Sequence, residues 1–346
     1  MTDLVGHDGV IAEFLMAMRG PRMHHAWLLV GPEGVGKAKT AMALAKRLLC
    51  EASDPDLSRE GLAVPANYAI GRLFDAHTHP DFIQLERLPK DIKVLREIER
   101  SNWPADLERA RNITIEQVRS LGSTFALKPS YSRSRVVLVD AIDDMERGAA
   151  NALLKSLEEP PHGTIFLLIS HAPGRLLPTI RSRCRTLRFA ALDQFSMEAA
   201  LRSAMPGITD SELAALVKAG EGSPGKALSF AGLDLASMET ALHQIAQGGD
   251  PDNGIRSELA QSLSAKQSQR RYEAFLNRAP SFIAEEARKR HGSGLKAAVD
   301  AWSAARGLAE SAIRQSLDPQ MTVFALAGHV AGRASGGAAQ EHRTRL

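Results

Sequence analysis

The first 190 positions alternate short apolar-rich runs with stretches where apolar residues return every three or four places. The runs are Ala26-Trp27-Leu28-Leu29-Val30, Phe82 to Leu85, Arg135 to Val139, Thr164 to Ile169 and Arg185 to Phe189. They are too short for helices and predict strands, of which Ala26 to Val30, apolar throughout, is a buried one. Helical spacing runs from Lys37 to Leu49, Ile115 to Phe125 and Met145 to Leu157. Strands alternating with helices predict an α/β unit with a parallel sheet and helices on both faces. The stretch Glu51 to Asp75 has no clear period and is rich in Asp, Ser, Gly and Pro, which places it at the sheet's periphery.

Past Ala190 the strand pattern stops. Short helices are predicted at Ser196 to Ala204, Thr209 to Ala219 and Gly225 to Phe230, with turns at Pro206-Gly207 and Gly222-Ser223-Pro224-Gly225. A break at Gly232-Leu233-Asp234 precedes a run of amphipathic helices: Leu235 to Gln247, Ile255 to Ser264, Ser268 to Ala279, Ile283 to Arg290, Gly294 to Ser316 and Gln320 to Ala331. The domain boundaries that follow are an α/β core over 1–190, a small helical segment over 191–232, an all-α bundle over 233–331 and a flexible tail over 332–346. No internal repeat is visible.

Composition narrows the class. A chain of 346 residues with 44% hydrophobic content can build more than one packed core. Its two cysteines, Cys50 and Cys184, make neither a CxxC pair nor a zinc quartet, which fits a reducing cytoplasm. The start Met1-Thr2-Asp3-Leu4 lacks a basic segment leading into an apolar one, and no run of about 18 apolar residues occurs, so no membrane span is expected. A net charge of +3 excludes nucleic-acid binding driven by bulk charge and leaves room for a local basic surface.

The chemistry lies in two motifs. Gly31-Pro32-Glu33-Gly34-Val35-Gly36-Lys37 follows the first strand and opens a helix, the setting of a phosphate-binding loop. Gly31, Gly34 and Gly36 let the backbone approach closely, successive amides and the helix N-terminus face an anion, and Lys37 adds a full charge. Such loops end in Ser or Thr, whose hydroxyl ligates Mg²⁺; here Ala38 follows. The run ending in Asp140 places a carboxylate where a metal-facing aspartate belongs, but the next position, where an acid orients the attacking water, is Ala141. Both losses fall on one reaction coordinate, so the pattern is a nucleotide-binding scaffold without hydrolysis. ATP or ADP occupancy is left open, and no bound cofactor is required.

A third segment gives the family. Asn151-Ala152-Leu153-Leu154-Lys155-Ser156-Leu157-Glu158-Glu159-Pro160-Pro161, a strand, and then Ser182-Arg183-Cys184 resemble the clamp-loader branch of the AAA+ proteins, over positions 1 to about 230. The resemblance implies a P-loop core, a helical lid over 191–232 and a collar domain over 233–331 that joins a hetero-pentamer. It implies as partners the gamma/tau motor subunits and a delta subunit, with the sliding clamp and primed DNA reached through the complex. It makes Arg183 an arginine finger acting in trans on a neighbour's γ-phosphate. Ser170 falls near a γ-phosphate sensor of active relatives or caps its own turn, and Lys226 stands near a lid arginine of theirs. Many relatives carry a cysteine-held zinc, but Cys50 with His77 and His79 is a poor ligand set, so no metal is expected.

Other constellations read more plainly. Asp143-Asp144 and Glu158-Glu159 are solvated charges at loop and helix ends, and His24-His25 serves packing and register. Lys128, Arg133 and Arg135 form a basic cluster that either approaches DNA or stays solvated. Three alternatives remain beside the non-hydrolysing subunit: an active motor subunit, a standalone P-loop NTPase and a DNA-binding adaptor.

Overall fold

The predicted runs become strands β1 (Ala26–Val30), β2 (Phe82–Glu86), β3 (Arg135–Asp140), β4 (Thr164–Ser170) and β5 (Arg185–Arg188). The structure, a computed structural model, describes residues 4–331 apart from 55, 58–59, 92, 95–97, 99–102, 104–106 and 266–267. The tail expected over 332–346 lies outside the described residues. The chain forms two compact units, Met1–Ser196 and Met197–Leu346.

In the first unit all five strands are parallel, in the order β2-β3-β4-β1-β5. The central strands are buried along nearly their whole length, which is why their sequences are continuous apolar runs. Alternate residues feed opposite faces. Trp27, Leu29, Val136, Leu138, Leu167 and Ile169 enter the core under α1 (Asp8–Met18) and α2 (Lys37–Ser53). Leu28, Val30, Val137, Val139, Phe166 and Leu168 enter the core under α4 (Ile115–Phe125) and α5 (Arg147–Glu158). This is a parallel α/β core, with α3 (Ala69–Asp75) and the four-residue α6 (Pro178–Arg181) between strands.

The peripheral stretch after α2 is tied down by a buried arginine. Arg47 is only 1% exposed, pairs with Glu51 at 2.5 Å and donates to the carbonyl of Ala63 at 2.7 Å. Glu51 also accepts from Arg19 at 2.7 Å, so the exit of α2 is fixed by two cations on one carboxylate.

Helices follow to the end of the described chain: α7 (Gln194–Ala204), α8 (Asp210–Gly220), α9 (Pro224–Ser229), α10 (Leu235–Gly248), α11 (Gly254–Ser264), α12 (Gln269–Arg288), α13 (Gly292–Gln315) and α14 (Pro319–Ala331). Thr209 and Ser223 cap α8 and α9 by accepting from backbone amides. One expectation is corrected: Ser268 to Ala279 and Ile283 to Arg290 are not two helices but the single α12, which runs through Pro280. An internal proline costs a helix about 3 kcal/mol. Phe275, Phe282 and Ile283, all at 0% exposure, carry one apolar stripe across it, and each buried side chain returns about 1.5–3 kcal/mol.

The second unit also buries charge. Arg278, 1% exposed on α12, donates through Nη1 to Glu285 at 2.8 Å and through Nη2 to Glu239 on α10 at 3.1 Å; its Nε also pairs with Glu239. Lys218 on α8 reaches Glu239 at 3.2 Å, so this network ties three helices of the unit. Among the described residues no helix is long and apolar enough to cross a membrane.

Candidate functional site

The sequence from Val30 to Lys37 must turn sharply from β1 into α2, and its glycines make that turn possible. A Cβ on Gly31 would fall 2.3 Å from the carbonyl oxygen of Phe189, so only glycine lets the loop pass the sheet at this point. Gly34 lies in the turn at φ 75°, and Gly36, the residue before α2, has φ 111°, a conformation that side chains disfavour. The loop therefore has the expected shape, with the N-terminus of a long helix behind it.

Lys37 is 2% exposed and turns inward. Its Nζ donates to the carbonyls of Gly31 at 2.7 Å and Pro32 at 2.5 Å, so the ammonium stitches the loop to itself. Burial, only partly offset by the charges of Glu33, Asp140 and Asp143, pushes its pKa down to about 8 from the ordinary lysine value of 10.5. The folded chain thus holds this proton less tightly than the unfolded one. Between those two values unfolding takes up a proton, and the contribution of Lys37 to stability should rise with pH across the window. Urea unfolding at both ends of the window should show that rise in the natural chain and its loss in Lys37→Met; equal slopes would contradict the burial of the ammonium.

At the C-terminal ends of β2 and β3 lies a cleft of about 390 Å³. Asp140 lines it beside Glu33, Glu86, Asp144, Arg87 and Arg109. Glu86 is the register partner of Asp140 on β2, and burial together with that carboxylate raises the pKa of Asp140 above the usual aspartate value. Arg109 neutralises Glu86 at 2.8 Å and Arg87 pairs with Asp144 at 3.1 Å, so both arginines are spent on carboxylates other than Asp140. Ala141 is 2% exposed and belongs to the apolar core under α2, and Ala38 packs against the same core. Ala141 brings a methyl group to the cleft lining beside Asp140, while Ala38 lies outside that lining, at the start of α2.

The turn after β4 modifies the plain reading of Asp143. Its carboxylate accepts from Ser170 Oγ at 3.0 Å and from the amides of His171 at 2.6 Å and Ala172 at 3.2 Å. Asp143 is therefore the cap of that turn rather than a solvated charge, and the hydroxyl of Ser170 is directed at it.

Arg183 sits just past α6, a third exposed, with its Nη2 at 2.7 Å from Glu158 Oε1 and its Nη1 donating to the carbonyl of Thr179 at 2.9 Å. Ser182 Oγ donates to the same carbonyl at 3.1 Å. Cys184 packs against the core under α5, and burial pushes its thiol up to about 12, so it is not a nucleophile. Glu158 was read from sequence only as a charge at a helix stop. Arg183 lies in the same unit as the loop but outside the cleft's lining.

The remaining expectations resolve simply. His24 and His25 stack at 4.7 Å, and His25 bonds the carbonyl of Leu157, tying β1 to the end of α5. Cys50 and His79 are buried, and among the described residues no group of three or more His, Cys, Asp or Glu could hold a metal. The basic cluster is smaller than expected: Arg135 is 3% exposed and donates to the carbonyl of Leu127, leaving Lys128 and Arg133 at the surface. Lys226 pairs with Glu221 at 2.7 Å in the second unit. One contact had no sequence signal: His7 reaches the carbonyl of Val35 at 2.9 Å and lays its ring 4.7 Å from Phe189, bracing the phosphate loop.

Comparison with known proteins gives a consistent set of relatives. The family described as DNA polymerase III, delta subunit, matches residues 6–193. DNA polymerase III subunit delta' of Pseudomonas aeruginosa is 39% identical over 161 residues, covering 46% of this chain and 41% of that protein. DNA polymerase III subunit tau of Escherichia coli K12 is 30% identical over 241 residues, covering 68% of this chain and 33% of tau. The chain thus spans less than half the length of these relatives. Among solved structures, a DNA polymerase III gamma subunit-related protein of Thermotoga maritima aligns with a TM-score of 0.44 at 17% identity, over 94% of this chain and 100% of that one.

Proposed function

Because the chain belongs to the DNA polymerase III delta-subunit family, we propose that it is a delta-prime-type subunit of the clamp loader, one that binds in the ring without hydrolysing ATP itself. In this reading it joins gamma/tau motor subunits and a delta subunit in a hetero-pentamer. It presents Arg183 to the ATP of a neighbour while the complex opens the sliding clamp and sets it on primed DNA. The first unit provides the α/β core, the segment 191–232 the lid, and 233–331 the collar through which the ring is held.

The observation that carries the reading is the cleft at Asp140. Phosphoryl transfer depends on positioning and on charge stabilisation, and here the proton of Asp140 is held tighter than usual, Ala141 lines the cleft beside it, and Ala38 follows the glycine loop. Arg183 stands apart from that cleft, outside its lining and a third exposed, available to a second protein.

The reading is tested by ATP turnover. The purified chain with Mg²⁺ and ATP is expected to hydrolyse at background rate, with primed DNA present or absent. Sustained turnover that survives further purification would overturn the non-hydrolysing assignment and favour the motor-subunit alternative.

A further inference from the structure

The two motifs that the sequence presented separately meet in the fold. Glu158, the last residue of α5 and part of the Leu-Glu-Glu-Pro-Pro run, closes on Arg183 of the Ser-Arg-Cys triplet at 2.7 Å. From this contact we infer that Glu158 is a positioning residue for the arginine: it holds the guanidinium in one orientation at the surface so that the fork is ready for a neighbour's phosphate. The inference rests on the reading of Arg183 as the group delivered in trans.

A free arginine at a surface samples many rotamers, about 2 kcal/mol of conformational entropy that must be lost before a planar fork can engage an anion. Here the side chain is pinned at both terminal nitrogens. Nη1 donates to the carbonyl of Thr179 at 2.9 Å and comes within 3.5 Å of Ser182 Oγ, while Nη2 faces Glu158. Both anchors stand on regular elements, Thr179 in α6 and Glu158 at the end of α5. Two strong contacts engage only part of the five N–H groups a guanidinium carries, so the others stay free to donate to phosphate oxygens.

A stabilising role does not account for the pair. Arg183 and Glu158 are 33% and 48% exposed, and ion pairs at such exposure contribute about 0–1 kcal/mol. A carboxylate at a helix C-terminus also opposes the helix dipole, so Glu158 stands where helix stability alone would disfavour it. The pair makes sense as geometry: the acid fixes where the arginine points, and the proline pair behind it, Pro160-Pro161, ends the helix at that point.

The test is a double-mutant cycle in the reconstituted complex, read as ATP hydrolysis and clamp loading on primed DNA, with unfolding of the isolated chain measured beside it. Glu158→Ala should slow clamp loading by about 10-fold, as expected for a misdirected reacting group. Its stability should stay within about 1 kcal/mol of the natural chain. Glu158→Gln, which keeps an accepting oxygen at the same place, should restore most of the rate. In an Arg183→Ala background, Glu158→Ala should have no further effect, because there is no fork left to aim. The inference is overturned if Arg183→Ala is slow while Glu158→Ala loads at the natural rate, or if the two losses multiply. If Arg183→Ala itself loads at the natural rate, the finger reading falls and this inference falls with it.

Discussion

Arg278→Ala should destabilise the second unit by about 3–5 kcal/mol, the usual cost of removing one partner from a buried ionic cluster. Arg278 is 1% exposed and holds two carboxylates, Glu239 and Glu285. Burial alone would work against its charge, but the hydrogen bonds and charges of those two acids outweigh burial and raise its pKa. Without the guanidinium, Glu239 is left at 7% exposure with Lys218, itself well exposed, at 3.2 Å and His243 at 4.0 Å. A loss of that size is a large part of a domain's total stability, about 5–15 kcal/mol. Replacing the cluster together, Arg278→Met with Glu239→Leu and Glu285→Leu, should recover most of it, because no buried charge is then unpaired. Hydrogen exchange at the amides of α10 and α12 reads this unit separately from the first. A change below about 1 kcal/mol in Arg278→Ala would mean that the cluster is hydrated and its apparent burial carries no energetic weight.

The parts of the fold that the sequence made legible are those where burial is nearly total. β1 and β3 are apolar runs because both of their faces are covered, and their ends were readable to within a residue. Pro280 misled because a local rule competes with a longer-range one: the proline breaks one hydrogen bond, while Phe275, Phe282 and Ile283 hold the helix against its neighbours. α1 gave no start signal, since it begins after His7 at φ 64° with no side-chain cap. In the site, the shape of the glycine loop was legible because all its parts are contiguous. The inward turn of Lys37, the capping role of Asp143 and the Glu158–Arg183 contact were not, because each depends on which segments the sheet brings together. That alanine stands at positions 38 and 141 was plain from the sequence; that Ala141 both packs on the core and lines the cleft beside Asp140 was not.

Arg183→Ala should leave the subunit folded and the complex assembled, since the side chain contributes little to stability where it stands. In the proposed role its effect belongs to the neighbour. As the neighbour's γ-phosphate bond breaks, negative charge spreads over the transferring oxygens, and a guanidinium placed there is worth about 10³-fold or more at that site. Total ATP hydrolysis should fall only in part if, as proposed, other sites of the ring have arginines of their own. Clamp loading, which needs the sites to act together, should fall further. Arg183→Lys keeps the charge but loses the planar fork and its two-point contact, so it should rescue poorly.

The most direct measurement is single-turnover ATP hydrolysis, with clamp loading on primed DNA, by reconstituted complexes carrying the natural chain or Arg183→Ala, each shown by native mass to contain it. The expected result is loss of one site's fast hydrolysis together with loss of clamp loading. Loading at the natural rate by a complex that contains Arg183→Ala would contradict the trans-acting role.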